Sequence, residues 1–208
     1  MSVEKTIDFE GFKAFVEEFA GETDRAAVIL GAAKLDTLLY QLLGKVLVPY
    51  PSGQDDLLDG DSPLSTFSSR INAAYRLGLI DAQFCRALHL IRRIRNAFAH
   101  ELSGSTLDSG PHRDRVKELV LPYKGLPFVQ EFGKRYFKGK KPGPSADFGI
   151  ILAIMIFRLD YASLVAVPIE NNKAITIITE IMKKWGEPGE EIKSHEKSPT
   201  KLELPEKK

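Results

Sequence analysis

Several things are scarce in this 208-residue chain, and each scarcity removes a class of function. A single cysteine, Cys85, leaves no internal disulfide; set in an apolar helical pattern, it reads as a buried, reduced thiol that suits a reducing cytoplasm. Charge of one sign is missing too. Lys and Arg number 29 against 28 Asp and Glu, for a formal net charge of +1, so the pervasive positive field of a dedicated DNA-binding domain is absent and direct DNA binding is not expected. The longest apolar run, "FGIILAIMIF" from Phe148 to Phe157, is closed by Arg158 and Asp160, short of the roughly 20 residues of a membrane span, and reads as a core helix. No contact with a membrane is expected. The opening "MSVEKTIDFEGFKAF" has acidic residues where a secretory signal needs a positive segment. Glycine-rich phosphate loops, serine-nucleophile motifs and zinc-ligand spacings do not occur. The aspartates of "DDLLDGD" lack the spacing and the closing glutamate of a calcium loop. We therefore expect no metal and no cofactor, and the standard enzyme classes are disfavoured.

What is present is helical periodicity, with almost no strand alternation. Phe9 to Phe19 forms a short amphipathic segment ended by Gly21. Asp24 can cap the next helix, whose Leu35, Leu38, Leu39, Leu42, Leu43 and Val46 make one apolar stripe before "PYPSG" stops it near Val48. Ser62 and Pro63 suit the start of a third helix with Leu64, Phe67, Ile71 and Ala74 inward, ended by Gly78. Asp81 can cap a fourth, in which Phe84, Leu88, Ile91, Arg95 and Phe98 recur at spacings of four and three. Arg95 thus falls in line with an apolar seam, and an unpaired guanidinium there would cost several kcal/mol. Two readings stand side by side: an ion pair within the bundle, with Asp36, Asp59 or Asp61 as partner, or a role toward a ligand. His100 is equally open between a helix-end histidine held by terminal carbonyls and a functional group. Arg86, Arg92 and Arg93 read as a solvated face. His89, Arg93, Asn96 and His100 share one side of the helix, a groove lining or a dimer contact.

Beyond Glu101 the pattern predicts a loop, a short helix around 114–120, an irregular "LPYKGLPF" and a basic connector "GKRYFKGKKPGPS". Within the connector, "KRYFKGKK" interleaves two aromatics with five basic residues; a solvated loop and a grip on single-stranded nucleic acid are both compatible with it. A long apolar helix over 146–165 follows, then a last one over 172–185 with Ile175, Ile178, Met182 and Trp185 on one face. The expectation is an all-α, multi-helix bundle forming a single domain over 1–185, and a disordered, charged tail over 186–208.

The stretch "LLDGDSPLSTFSSRINAAYRLGLIDAQFCRALHLIRRIRNAFAH" resembles the mannitol operon repressor family of bacterial regulators over residues 57–100. The likeness rests on the acidic-glycine loop leading to Pro63 and Leu64, Arg70, the "YRLGLID" turn over Tyr75–Asp81, and Arg95 and His100 with four residues between them. It implies an all-helical fold without a helix-turn-helix and a role in transcription regulation through protein contacts. Asp59, Asp61, Arg70, Arg92 and Arg93 are then the interaction or structural residues, the protein partner is unidentified, and self-association into a homo-oligomer is expected. The segment "RNAFAH" also resembles the Arg-x4-His signature of the HEPN superfamily, many of whose members are metal-independent endoribonucleases that act as dimers. That second resemblance implies Arg95 and His100 as catalytic residues on RNA, with Asn96 positioning them. An imidazole with a pKa near about 6.5 can move a proton at neutral pH, and a guanidinium can hold a phosphate. An inactive HEPN-like scaffold is the third alternative. On a regular helix, however, residues five apart point about 140° from each other, so Arg95 and His100 meet on one phosphate only if the helix unwinds or two chains contribute.

Overall fold

A computed structural model of the chain describes residues 9–51, 53–101, 104–169 and Met182. The chain divides into two units, Met1–Ile169 and Glu170–Lys208, and the architecture below belongs to the first. The helix expected over 172–185 and the tail over 186–208 lie outside the described residues, Met182 apart.

The described residues hold seven α-helices and a 3-10 turn, with no strand, as the periodicity implies: α1 Phe9–Ala20, α2 Asp24–Val46, α3 Phe67–Arg76, α4 Ala82–His100, α5 Gly110–Val120, the turn Leu121–Tyr123, α6 Pro127–Tyr136 and α7 Pro144–Val165. Helices α2 and α7 form the centre. Every member of the predicted α2 stripe is buried, and α7 is buried round most of its circumference between Phe148 and Leu159, with Ile150 and Phe157 half-buried and Arg158 exposed. Both are long and apolar enough to cross a membrane by length and composition, and about half of each apolar window is buried against the other helices. Helix α4 packs on α2, α3 and α5, and α7 packs on α1, α5 and α6.

Local chemistry sets the helix ends, and in two places it differs from expectation. Thr23, not Asp24, caps α2, its Oγ1 accepting the amide of Ala26 at 3.3 Å. This frees the Asp24 carboxylate for a longer reach: it accepts the Leu107 amide at 2.8 Å and the Thr106 hydroxyl at 3.1 Å, and it also takes the Ser145 hydroxyl at the start of α7. The third helix starts four residues later than the Ser62–Pro63 pair suggests, because Thr66 and Ser69 form a reciprocal capping box that closes the orphan donors there. Asp81 caps α4 as expected, accepting the Phe84 amide at 2.7 Å. The "LPYKGLPF" and "KRYFKGKK" stretches are not continuous loop. Pro127 sits in the first turn of α6, where its missing N–H costs nothing, and Lys134, Arg135 and Tyr136 are helical.

The crossing of α2 and α7 depends on Gly31, since a β-carbon there would fall inside the van der Waals envelope of Leu152, itself fully buried. Gly31→Val is expected to destabilise the protein by roughly 1–3 kcal/mol, the usual cost of overpacking, read from urea denaturation against wild type.

Candidate functional site: the outer face of the fourth helix

Helix α4 has its apolar side on the core through Phe84, Ala87, Leu88, Ile91, Ile94 and Phe98. Arg95 does not belong to that side. It is exposed, and its Nη1 donates to Oδ1 of Asn96 at 3.0 Å, with no carboxylate partner among the described residues. The expectation of an ion pair with Asp36, Asp59 or Asp61 is therefore corrected. Leu88, seven residues earlier and almost in line, is fully buried while Arg95 is exposed, so what lies opposite each position, and not spacing alone, decides burial along this side of α4.

The guanidinium bound inside the bundle is that of Arg70. Its Nη1 meets Oδ1 of Asp36 at 2.8 Å, its Nε donates to the Leu64 carbonyl at 2.8 Å, and its plane lies 5.1 Å from the centre of the Tyr40 ring. Tyr40 in turn donates its hydroxyl to Oδ1 of Asp59 at 2.8 Å, which raises the phenol pKa, chiefly through that hydrogen bond. The other oxygen of Asp59 accepts the Asp55 amide at 3.2 Å. Arg70 and Asp59 thus fasten the acidic loop and α3 to α2. Asp61 is exposed and has no hydrogen bond or ion pair among the described residues.

On the solvent side of α4, Arg86, His89, Arg93, Asn96 and His100 recur at spacings of three, four, three and four, so they project within a narrow sector along about 21 Å of helix. Arg86 forms an ion pair with Glu118 of α5. His89 Nε2 lies 3.1 Å from Oδ1 of Asn72, and burial first, then Arg92 and Arg93, lower its pKa, which favours the neutral ring donating from Nε2. Arg93 is exposed without a hydrogen bond or ion pair among the described residues. Arg92 is half-buried, with its Nε enclosed and unpartnered, so it is less solvated than the sequence suggests. Beside this stripe opens a cavity of about 670 Å³ lined by Tyr75, Gln83, Cys85, Arg86, His89, Arg93 and Glu118. Burial raises the Cys85 thiol pKa, which suits an unreactive side chain.

Arg95, Asn96 and His100 are brought to one end of α4, all at least partly open to solvent, but the helix stays regular through His100. Within one chain Arg95 and His100 consequently point apart. A second cleft, of about 740 Å³ between α1, α6 and α7, has Phe12, Phe132, Ile154 and Phe157 in its walls and offers surfaces for packing more than groups for chemistry.

The sequence gives no hint of the joint beyond α4. His112, almost wholly buried, places its ring 4.8 Å from that of Phe98 and its Nε2 3.0 Å from Oε1 of Glu101; Ser105 donates to the other Glu101 oxygen, and Arg25 donates to the Glu101 carbonyl. The Ser105 hydrogen bond, with that of His112 second, holds the Glu101 carboxyl below the ordinary glutamate range. A lowered folded-state pKa contributes stability that is complete above the unfolded-state value and lost as pH falls through the folded-state value. Ser105→Ala is expected to remove part of that loss, so the difference in melting temperature between wild type and variant shrinks from about pH 5 to about pH 3.

No family model and no curated protein matches the chain. Among solved structures, a chain of the X-ray structure of the MtlR–HPr complex from Escherichia coli is similar, with 21% identity, a TM-score of 0.54, and coverage of 72% of this chain and 99% of that one. At that identity the likeness concerns the fold.

Proposed function

We propose that this protein is a regulator of transcription that works by binding another protein, as the resemblance to the mannitol operon repressor family implies. The observation that carries this reading is the shared fold with a chain found in complex with a protein, HPr. The balanced net charge agrees with it, since a protein partner makes no demand for the continuous positive surface that DNA does. HPr from the same host is the first partner to test. The expected result is a saturable complex by titration calorimetry together with altered transcription of at least one operon in a deletion strain; neither effect appearing would overturn the reading.

The second reading is a metal-independent nuclease, supported by the exposure of Arg95, Asn96 and His100 and by the hydrogen bond that joins the first two. It requires a second chain to complete the site, because the unbroken helix turns Arg95 and His100 apart. The regulator reading expects no cleavage of single-stranded RNA in EDTA. Cleavage that persists in the chelator and vanishes in His100→Ala would replace it with the nuclease.

A further inference from the structure

Opposite charges that could pair within the chain are held apart. The acidic loop offers Asp55, Asp56 and Asp61, none of which meets a cation among the described residues: Asp55 caps the amides of Leu57 and Leu58, Asp56 accepts the Tyr50 hydroxyl, and Asp61 is unengaged. The outer stripe of α4 offers Arg93, equally unengaged, and Arg76, next to the cavity-lining Tyr75, is a further exposed cation with no partner among the described residues. The stripe has the 3-4 spacing of a helix seam, but its residues are Arg, His and Asn, so it does not suit its own image: two α4 helices meeting antiparallel about Arg93 would oppose that arginine to itself. An acidic surface is the complement, and this chain possesses one. Loop and stripe also adjoin the same element, since the loop leads into α3 and α3 packs along α4.

We propose that the α4 stripe around Arg93 docks the acidic loop 55–61 of a second copy of this chain, and that a two-fold axis lets each copy give a loop and receive one. This goes beyond the regulatory reading and does not depend on it. A dimer of this kind joins complementary charges at its rim, so it weakens with ionic strength.

The test uses the full chain and sedimentation velocity over a concentration series, at about 0.05 M and about 0.5 M salt. The expected result is a monomer–dimer equilibrium that weakens at high salt. Arg93→Glu alone and Asp61→Lys alone each raise the dissociation constant at least about tenfold, and an equimolar mixture of the two variants recovers dimer, because every contact in the mixed pair again joins opposite charges. Asp56→Lys is a second loop variant should Asp61→Lys fold poorly, as judged by circular dichroism. A wild-type chain that stays monomeric throughout would overturn the proposal. So would single variants that dimerise like wild type, or a mixture that fails to recover; in that last case, retention of single-stranded RNA or of an acidic foreign protein that Arg93→Glu abolishes would reassign the stripe.

Discussion

Arg70→Ala is expected to lower stability by about 3 kcal/mol, the largest effect of any single charged residue described here, whereas Arg95→Ala should lie within about 0.5 kcal/mol of wild type. The difference comes from surroundings alone. The Arg70 side chain is 14% exposed and its partner Asp36 28%, so truncation leaves a half-buried carboxylate without its donor, orphans the Leu64 carbonyl and uncovers the Tyr40 ring. In a chain of this size about 3 kcal/mol corresponds to a fall in melting temperature of roughly 6–12 °C, read by circular dichroism. The double variant Arg70→Ala/Asp36→Ala should cost less than the sum of the singles, because removing both partners leaves no uncompensated charge. Arg70→Lys keeps the charge and loses the fork that engages Asp36 and Leu64 together, so it should fall between wild type and alanine. Equal costs for Arg70→Ala and Arg95→Ala would refute the account of which arginine anchors the bundle.

That contrast shows where periodicity informs and where it stops. The α2 stripe from Leu35 to Val46 and the α4 seam through Phe84, Leu88, Ile91 and Phe98 were legible because a long helix with one covered side repeats its apolar residues regularly. Arg95 occupies a seam position by spacing, but burial depends on what lies opposite, and the neighbouring helices are not written into α4. Helix α6 does carry a stripe, with Val129, Phe132 and Tyr136 half-buried against the core, but it is only ten residues long, and the prolines and glycines around it read as loop. The stripe His89, Arg93, Asn96 and His100 was visible because it is a property of one helix. The Asp36–Arg70 pair, the Asp24 clamp on Thr106 and Leu107, and the contact of His112 with Phe98 and Glu101 join residues far apart in sequence, and no local pattern announces them. Arg70 stands out in the sequence by its place in a family-like motif, and the fold supplies the physical reason.

Phe98→Ala should cost about 4 kcal/mol, in the range for emptying a closed aromatic site. The ring is fully buried and meets His112 in a tilted arrangement with centroids 4.8 Å apart, so truncation removes both its burial and the pair contact. Phe98→Leu refills much of the space and should cost markedly less. The location of the damage is as informative as its size. Phe98 sits in the last turn and a half of α4, between Asn96 and His100, and its removal frees His112 from the surface that aims Nε2 at Glu101. Amide exchange should therefore quicken at the end of α4 and the start of α5 at denaturant levels where the α2–α7 centre is still protected. Uniform quickening across the chain would mean instead that Phe98 supports the whole core. The stripe on the far side of the same turns needs α4 to stay straight through His100.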